Sequence, residues 1–315
     1  MSAPDFTKAA ETIVNGGLVA MPTETVYGLA ADATNDRAVA RIFEAKGRPQ
    51  FNPLIIHVTG KDMAERYVEF PPLAEKLARA FWPGPLTLVL PRRGDCAVSH
   101  LVSAGLGTIA VRAPNHTSAQ KLIEAVDRPL AAPSANRSGA ISPTRAEHVQ
   151  ASLGDKVDLI IDGGPCLVGV ESTIIKVDGD NAILLRPGGV AREDIERRLG
   201  LSVADSDAAK QPEAPGMLAS HYAPRTKLRL NVKTPKPDEA FLAFGSSPSG
   251  HPYTLNLSKT GDLLEAAANL FAHLHALDDL CAAHGLLGIV AAPVPAEGLG
   301  AAINDRLKRA ATPRN

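Results

Sequence analysis

Hydrophobic positions in the first two thirds of the chain switch repeatedly between helical and strand-like spacing. Val39, Ile42 and Phe43 form an apolar stripe at i, i+3 and i+4, which predicts a helix. Asn35 or Asp36 can cap its first turn. A continuous apolar run follows downstream and predicts a buried strand. Repeated alternation of this kind is typical of an α/β sheet domain.

The same spacing predicts the remaining elements of this region. The predicted helices span Thr7–Asn15, Asn35–Lys46, Pro72–Phe81, Ser118–Val126, Thr144–Leu153 and Arg192–Leu199. The predicted strands span Leu18–Met21, Leu54–Val58, Leu86–Leu90, Thr108–Arg112, Leu130–Ala132, Asp158–Ile161, Ser172–Val177 and Ala182–Leu185. Thr144 and Glu147 have the spacing of a capping box, which supports the helix that begins there.

The pattern divides the chain near residue 200. From Ser202 to Pro224 the sequence is polar, small and proline-containing, which indicates a linker. Strand-like segments at 239–244, 253–257 and 286–291 and helical segments at 263–281 and 301–310 then predict a small βαβ-type domain. We therefore assign residues 1–200 to a first domain, 201–226 to a linker and 227–315 to a second domain.

Composition and charge narrow the class of protein. Hydrophobic residues make up 45% and charged residues 21%, as in an ordinary soluble protein. No membrane span or secretory leader is recognisable, so we expect a cytoplasmic protein. The 33 Lys and Arg residues are balanced by 34 Asp and Glu residues, so the chain lacks the excess of basic residues that is typical of nucleic-acid-binding proteins. A local basic patch on the folded surface remains an open alternative. The three cysteines are widely spaced, which argues against disulfides and a zinc site.

Two separated segments offer groups that suit phosphate. Gly47 is expected to end the helix that precedes it, so Lys46 and Arg48 flank a sharp stop and place two cations on a short connection. Ser134 and Asn136 follow a predicted strand and add a hydroxyl and an amide. A simpler alternative is that Lys46 only complements the helix dipole. The P-loop pattern is absent, so a nucleotide would be held by noncontiguous residues.

Six segments, in this order and spacing, resemble the L-threonylcarbamoyl-AMP synthase (YrdC-type) family. They are Pro22–Leu29, Lys46–Pro49, Asn52–His57, Trp82–Thr87, Ala132–Asn136 and Gly169–Ile174. The resemblance covers roughly residues 5–200, and residues 214–217 with 221–224 resemble the linker of the longer, two-domain members. It implies a YrdC-like mixed twisted sheet with helices, followed by a smaller α/β domain of Rossmann-like type.

The resemblance also implies a reaction. Members join L-threonine, bicarbonate or carbon dioxide, and ATP with Mg²⁺ into threonylcarbamoyl-AMP and pyrophosphate. Separate transfer machinery uses the product to modify the tRNA adenosine next to the anticodon, so contact with tRNA is expected to be weak or indirect. Two alternatives stay open: an RNA-binding module without turnover, and a related carbamoyl-adenylate-forming enzyme. The sequence shows neither a basic stripe nor paired cysteines to favour them.

Matching by position assigns the site residues. The residues that match ATP contacts are Lys46, Arg48, Asn52, Thr108, Ser134, Asn136, Ser142, Arg186 and Tyr222. The residues that match L-threonine contacts are Thr25, His57, Arg112, Ala132 through its backbone, and Ser172. The set predicted to be catalytic, by positioning and charge, is Lys46, Arg48, Ser134 and Asn136.

Some roles are left open by the residues themselves. Ser134 and Asn136 could bind either Mg²⁺ or phosphate, so the metal ligands are not assigned. The Arg112 guanidinium can bind the substrate carboxylate through two hydrogen bonds, or it could form an ordinary surface salt bridge with another side chain. Glu24 and Glu171 could pair with an arginine or help hold a metal. Tyr222 lies in the linker, which predicts a lid and nucleotide-dependent protection of residues 202–213 from proteolysis.

Overall fold

A computed structural model describes residues 6–206, 213–216, 220–246 and 250–313. The helices are α1 (Phe6–Val14), α2 (Asp36–Lys46), α3 (Lys61–Ala64), α4 (Pro72–Phe81), α5 (His100–Ser103), α6 (Thr117–Val126), α7 (Ala146–Leu153), α8 (Arg192–Leu199), α9 (Leu263–His284) and α10 (Leu299–Ala311). None of the helices within these ranges is both long and apolar enough to cross a membrane.

The first ten strands form one large mixed sheet. They are β1 (Val19–Met21), β2 (Gly28–Asp32), β3 (Ile55–His57), β4 (Leu86–Pro91), β5 (Thr108–Arg112), β6 (Leu130–Ala131), β7 (Leu159–Ile160), β8 (Thr173–Asp178), β9 (Asn181–Arg186) and β10 (Val203–Asp205). Their order in the sheet is β10-β9-β8-β4-β5-β3-β6-β2-β1-β7. This arrangement confirms the predicted mixed α/β sheet, and each predicted helix and strand of the region overlaps an observed one.

Helix α2 ends as its sequence requires. The Asn35 side chain accepts hydrogen bonds from the amides of Arg37 and Ala38, so Asn35, and not Asp36, is the N-cap. Gly47 has φ of +60°, a left-handed conformation that favours glycine and stops the helix. The chain therefore turns sharply immediately after Lys46.

Other local predictions were wrong or incomplete. Helix α7 begins at Ala146 with Arg145 as its N-cap and no capping side chain, so the predicted capping box does not form. Strand β2 and the short helices α3 and α5 were not predicted. Strand β10 lies inside the predicted linker and pairs in parallel with β9. Residues 207–212 and 217–219 of that linker lie outside the described residues.

The C-terminal region contains a second, smaller sheet. Its strands β11 (Leu228–Arg229), β12 (Glu239–Ala243), β13 (Thr254–Asn256) and β14 (Gly288–Ala291) lie in the order β11-β14-β12-β13, and all pairs are parallel. Helices α9 and α10 pack together beside it, as expected for a Rossmann-like βαβ domain. One apolar cluster joins Val26, Ile141 and Val170 of the first region to Leu270 and Phe271 of α9. The two regions therefore share buried surface next to the segments that carry the predicted site.

Candidate active site

Strand ends and loops of the large sheet meet the linker around one small cavity. Parallel pairing of β3 with β5 places His57 directly opposite Arg112, and an isolated bridge brings Ser134 beside Gly28. The lining residues are Thr23, Thr25, Val26, Gly28, Arg48, Ile55, His57, Arg112, Ala132, Pro133, Ser134, Glu171, Ser172, Arg186, Pro215, Gly216, His221 and Tyr222. The free space is about 50 Å³, and Pro215, Gly216, His221 and Tyr222 of the linker form part of the lining. A drug-sized ligand usually needs roughly 300 Å³ or more, so this cavity would have to widen to admit one.

Lys46 and Arg48 are both buried beside the cavity. Lys46 donates through Nζ to the backbone oxygens of Ser134 and Asn136, at 2.5 and 2.6 Å. Arg48 donates to the backbone oxygens of Asn52 and Pro53. Burial, with the neighbouring Arg48 charge, holds the pKa of Lys46 well below its usual value. Burial likewise lowers the pKa of Arg48 to about 10. Neither cation has a carboxylate as a hydrogen-bonding partner in the part of the chain that the structure describes.

Several buried polar atoms near these cations have no protein partner. Both side-chain amide atoms of Asn52, Oδ1 of Asn136 and the hydroxyl of Tyr222 are unpaired. The Asn136 amide nitrogen donates to backbone oxygens of Arg137 and Ala140, which fixes its oxygen as the free end. An unsatisfied buried polar group costs about 1–3 kcal/mol, so such a set indicates a site for a polar ligand.

A third cation, Arg112, lines another part of the cavity. Its Nη1 donates to Thr25 Oγ1 at 2.9 Å, and its Nε donates to the Gly84 backbone oxygen at 3.2 Å. Its Nη2 lies 2.5 Å from Glu24 Oε1, an ion pair with both side chains almost fully buried. Both carboxylate oxygens of Glu24 lack a hydrogen-bonding partner, and Arg112 is the only residue within the described ranges that forms an ion pair with Glu24. Glu24 was expected either to pair with an arginine or to help hold a metal, and the structure shows the pairing with an arginine.

His57 lies beside Arg112 as a neutral residue. Burial, together with the Arg112 charge, lowers the pKa of His57 to about 3. Its Nδ1 is buried without a partner, so the ring presents a free nitrogen at the cavity. A histidine that stays uncharged at neutral pH can bind a ligand through a hydrogen bond, and the binding role of His57 stays a prediction.

Arg186 and Ser172 connect the two parts of the cavity. Arg186, at the end of β9, donates to the Ser172 backbone oxygen at 2.9 Å and to its hydroxyl at 3.2 Å. It also donates to the backbone oxygen of Pro215 in the linker. The Ser172 hydroxyl lies 2.7 Å from that of Thr87. One guanidinium therefore contacts both the sheet and the linker.

Tyr222 and His221 close the cavity from the linker. Tyr222 is 1% exposed and has φ of +62°, an unfavourable conformation for a bulky side chain. Its ring lies 5.5 Å from the Phe271 ring and 4.0 Å from the His221 ring, between centroids. Burial lowers the pKa of His221 to about 3, so this ring is also neutral. The surrounding contacts hold Tyr222 over the cavity despite its backbone strain.

Glu171 pairs with an arginine, one of the two roles expected from the sequence, and that arginine, Arg306, was not identified from the sequence. Ser142 donates to Glu171 Oε1 at 2.5 Å, and Arg306 Nε of α10 donates to Glu171 Oε2 at 2.8 Å. Burial alone would raise the pKa of Glu171, but the Arg306 and Arg186 charges outweigh it and hold that pKa below its usual value. Arg306 lies 135 positions from Glu171 in an ordinary amphipathic helix, so no local pattern marks it.

The structure brings most predicted site residues to the cavity, with some differences. Those that line it are Thr25, Arg48, His57, Arg112, Ala132, Ser134, Ser172, Arg186 and Tyr222. Lys46, Asn52, Asn136 and Ser142 lie behind this lining and contact its residues or their neighbours. Thr108 is half-buried at the start of β5, at the opposite end of the strand from Arg112, and does not line the cavity.

Comparisons with known proteins cover nearly the whole chain. Residues 11–188 match the family model described as telomere recombination, and residues 190–312 match the model described as threonylcarbamoyl-AMP synthase, C-terminal domain. The threonylcarbamoyl-AMP synthase of Pyrococcus abyssi is 44% identical, over 96% of this chain and 92% of the relative. That of Bacillus subtilis is 39% identical, over 98% of this chain and 93% of the relative.

A solved structure agrees with these relatives. The crystal structure of P. abyssi Sua5 complexed with L-threonine superposes with a TM-score of 0.88 at 41% identity, covering 97% of this chain and 94% of that chain. The match extends over both sheets, and it confirms the predicted fold and family. The chain belongs to the threonylcarbamoyl-AMP synthase family, in its two-domain form.

Proposed function

We propose that this protein is a threonylcarbamoyl-AMP synthase, which joins L-threonine, bicarbonate or carbon dioxide, and ATP and releases pyrophosphate. The observation that carries the proposal is one cavity with two separate cationic parts. Lys46, Arg48 and Arg186 form one part, and Arg112 with its partner Thr25 forms the other. The full-length relatives named for this activity support the same conclusion.

The two parts suit two anionic substrates. The carbamate of threonine must attack the α-phosphorus of ATP, and these groups repel each other unless fixed charges offset the repulsion. The cations near Ser134 and Asn136 would bind the triphosphate, while Arg112 would bind the threonine carboxylate. No residue need form a covalent intermediate, since orientation and charge lower the barrier of this phosphoryl-centre attack.

The threonine part explains how a small amino acid can be selected. The hydroxyl groups of Thr25 and Ser172 and the neutral His57 ring line the cavity near Arg112. A site built to hydrogen-bond a substrate hydroxyl rejects an isostere that lacks it, because its own polar groups stay unpaired. We therefore expect L-threonine to be strongly preferred over L-valine.

Mg²⁺ would accompany ATP. Asn136 offers an unpaired buried oxygen, and Ser134 lines the cavity nearby; oxygen atoms are the ligands that Mg²⁺ prefers. The described residues contain no group of three or more His, Cys, Asp or Glu that could hold a metal ion. We propose that phosphate oxygens and water would complete the coordination, with the metal neutralising charge on the triphosphate.

The product would serve the modification of tRNA next to the anticodon. A mixed anhydride hydrolyses in water, so the closed linker over the cavity has a protective role. Transfer to tRNA would need separate machinery, and the reaction would take place in the cytoplasm.

The test is pyrophosphate release from the purified full chain with ATP, Mg²⁺ and bicarbonate. Release should depend on L-threonine, should be weaker with L-serine or L-valine, and should be lost in Arg112→Met. Arg41→Met is the matched control, since Arg41 does not line the cavity and makes an exposed ion pair with Asp158. No release with any amino acid from folded protein would overturn the proposal and favour a carbamoyl-phosphate substrate or RNA binding without turnover.

A further inference from the structure

Arg306 of the C-terminal domain is buried against the cavity-lining segments of the catalytic domain. Its side chain is fully buried, and its guanidinium donates to Glu171 Oε2, to the Pro187 backbone oxygen at 2.9 Å and to Asp305 Oδ2 at 2.7 Å. Its Cζ lies 5.2 Å from the centroid of the Tyr222 ring. One side chain of α10 thus contacts a cavity residue, the loop that follows β9 and the linker.

The stacking contact is of the cation–π type. A guanidinium over a tyrosine face contributes about 0.5–2 kcal/mol, with the larger values for desolvated pairs. Tyr222 needs this support because its φ of +62° is strained. The backbone on either side of the ring is also held between domains: the His221 amide donates to the Arg309 backbone oxygen, and the Ala223 amide donates to that of Gly139.

The Glu171 contact ties the same arginine to the predicted nucleotide-binding segments. Glu171 accepts from Ser142 through its other oxygen, so Arg306, Glu171 and Ser142 form one buried chain of hydrogen bonds. A change in the docking of α10 would disturb both ends of this chain together. The Arg112, Thr25 and Glu24 contacts do not include Arg306, so Arg306 reaches the threonine part only indirectly, through Ser172, which follows Glu171 in the chain.

We propose that Arg306 is the positioning residue through which the C-terminal domain holds Tyr222 and Glu171 in place for ATP. This inference rests on the proposed synthase function and gives the second domain a part in it. Arg306 acts through other residues, since its side chain does not line the cavity. Its loss should therefore affect the binding of ATP more than that of threonine.

The test compares Arg306→Met with the matched control Lys308→Met, which removes an exposed cation from the same helix. In Arg306→Met we expect KM for ATP to rise at least about tenfold, whereas KM for threonine should change less than about threefold. Hydrogen exchange in the ligand-free protein should become faster at the His221 and Ala223 amides. Arg306→Lys keeps the charge but loses the planar fork, and should recover part of the ATP affinity.

A double-variant cycle separates positioning from general damage. If Arg306 acts through the linker ring, Arg306→Met combined with Tyr222→Ala should raise KM for ATP no further than the worse single change. Should Arg306→Met fail to fold because Glu171 is left unpaired, the pair Arg306→Met/Glu171→Gln removes both charges and is measured instead. Unchanged KM for ATP, or an equal rise in both KM values, in an otherwise active protein would overturn the inference. Absence of threonine-dependent turnover in the unmutated protein would instead overturn the proposed function.

Discussion

The ion pair between Arg112 and Glu24 allows stability and substrate binding to be separated in one experiment. The two side chains are 4% and 7% exposed, and Glu24 has no hydrogen-bonding partner for either oxygen. Arg112→Met therefore leaves a carboxylate buried and unpaired. Breaking a buried pair in this way costs about 3–5 kcal/mol, so we expect the free energy of unfolding to fall by that amount.

Replacing both partners should restore much of the loss. In Arg112→Met/Glu24→Leu no charge is left behind, and apolar replacement of a buried pair is often neutral. Thr25 and Gly84 still lose a donor each, at a cost of about 1 kcal/mol per hydrogen bond. The double variant should therefore regain roughly half of the lost stability. Urea unfolding measures it, with Arg41→Met as a control that should lose at most about 1 kcal/mol.

The affinity for L-threonine should stay low in the double variant even though its stability is partly restored. A charge-assisted hydrogen bond contributes about 1.5–3 kcal/mol, which predicts roughly 10- to 150-fold weaker binding in both variants that lack the guanidinium. Isothermal titration calorimetry with threonine measures this directly. Tight threonine binding in the folded double variant would refute Arg112 as the carboxylate clamp. If the free energy of unfolding of Arg112→Met falls by less than about 1 kcal/mol, the claim that Arg112 and Glu24 form a costly buried ion pair is refuted.

Three further predictions concern pH, packing and charge. His57 has a pKa of about 3 when folded and near 6.5 when unfolded, so its titration alone should lower stability by about 1.4 kcal/mol per unit as pH drops from 6.5 toward 3. His148 and His221 have the same lowered pKa and add their own slopes, so His57→Asn should reduce the pH slope of stability, measured by urea unfolding, by about that amount, whereas exposed His100→Asn should leave it unchanged. Gly169→Ala would bring Cβ within 2.3 Å of a backbone oxygen of α9, so it should destabilise by more than Gly179→Ala, whose left-handed backbone alone costs about 1–2 kcal/mol. Lys46→Met should slow pyrophosphate release by at least about a hundredfold, and an unchanged rate would contradict its role.

Local chemistry made the turn that follows α2 predictable. Asn35 caps α2, Gly47 takes the left-handed conformation that ends it, and Lys46 and Arg48 consequently flank a fixed turn. These outcomes depend on residues within a few positions of one another. The resemblance of six separated segments then supplied the partners from distant strands, most of which the structure places around one cavity.

Elements whose stability depends on packing were harder to predict. Strand β2 has the sequence Gly-Leu-Ala-Ala-Asp, without β-branched or aromatic residues, yet all five residues are buried between β1 and β6. Small residues have weak strand propensity, so the surrounding sheet decides the conformation. Thr108 begins β5 as predicted, but the length of that strand carries it away from the cavity that Arg112 reaches.

The two parts of the cavity differ in the balance of positive and negative side chains. This difference predicts that binding of the nucleotide is coupled to closure of the linker. The Arg112 charge is offset by Glu24 before any ligand arrives. Within the described residues, the carboxylates that act on Lys46 or Arg186 are Glu171 and Asp305, and Arg306 already pairs with both. An excess of buried cations raises the free energy of the folded protein until an anion binds beside them. The lowered pKa values of Lys46 and Arg48 reflect this cost of burying their charged forms. A bound triphosphate would offset that excess, so nucleotide binding and closure of Tyr222 over the cavity should stabilise each other.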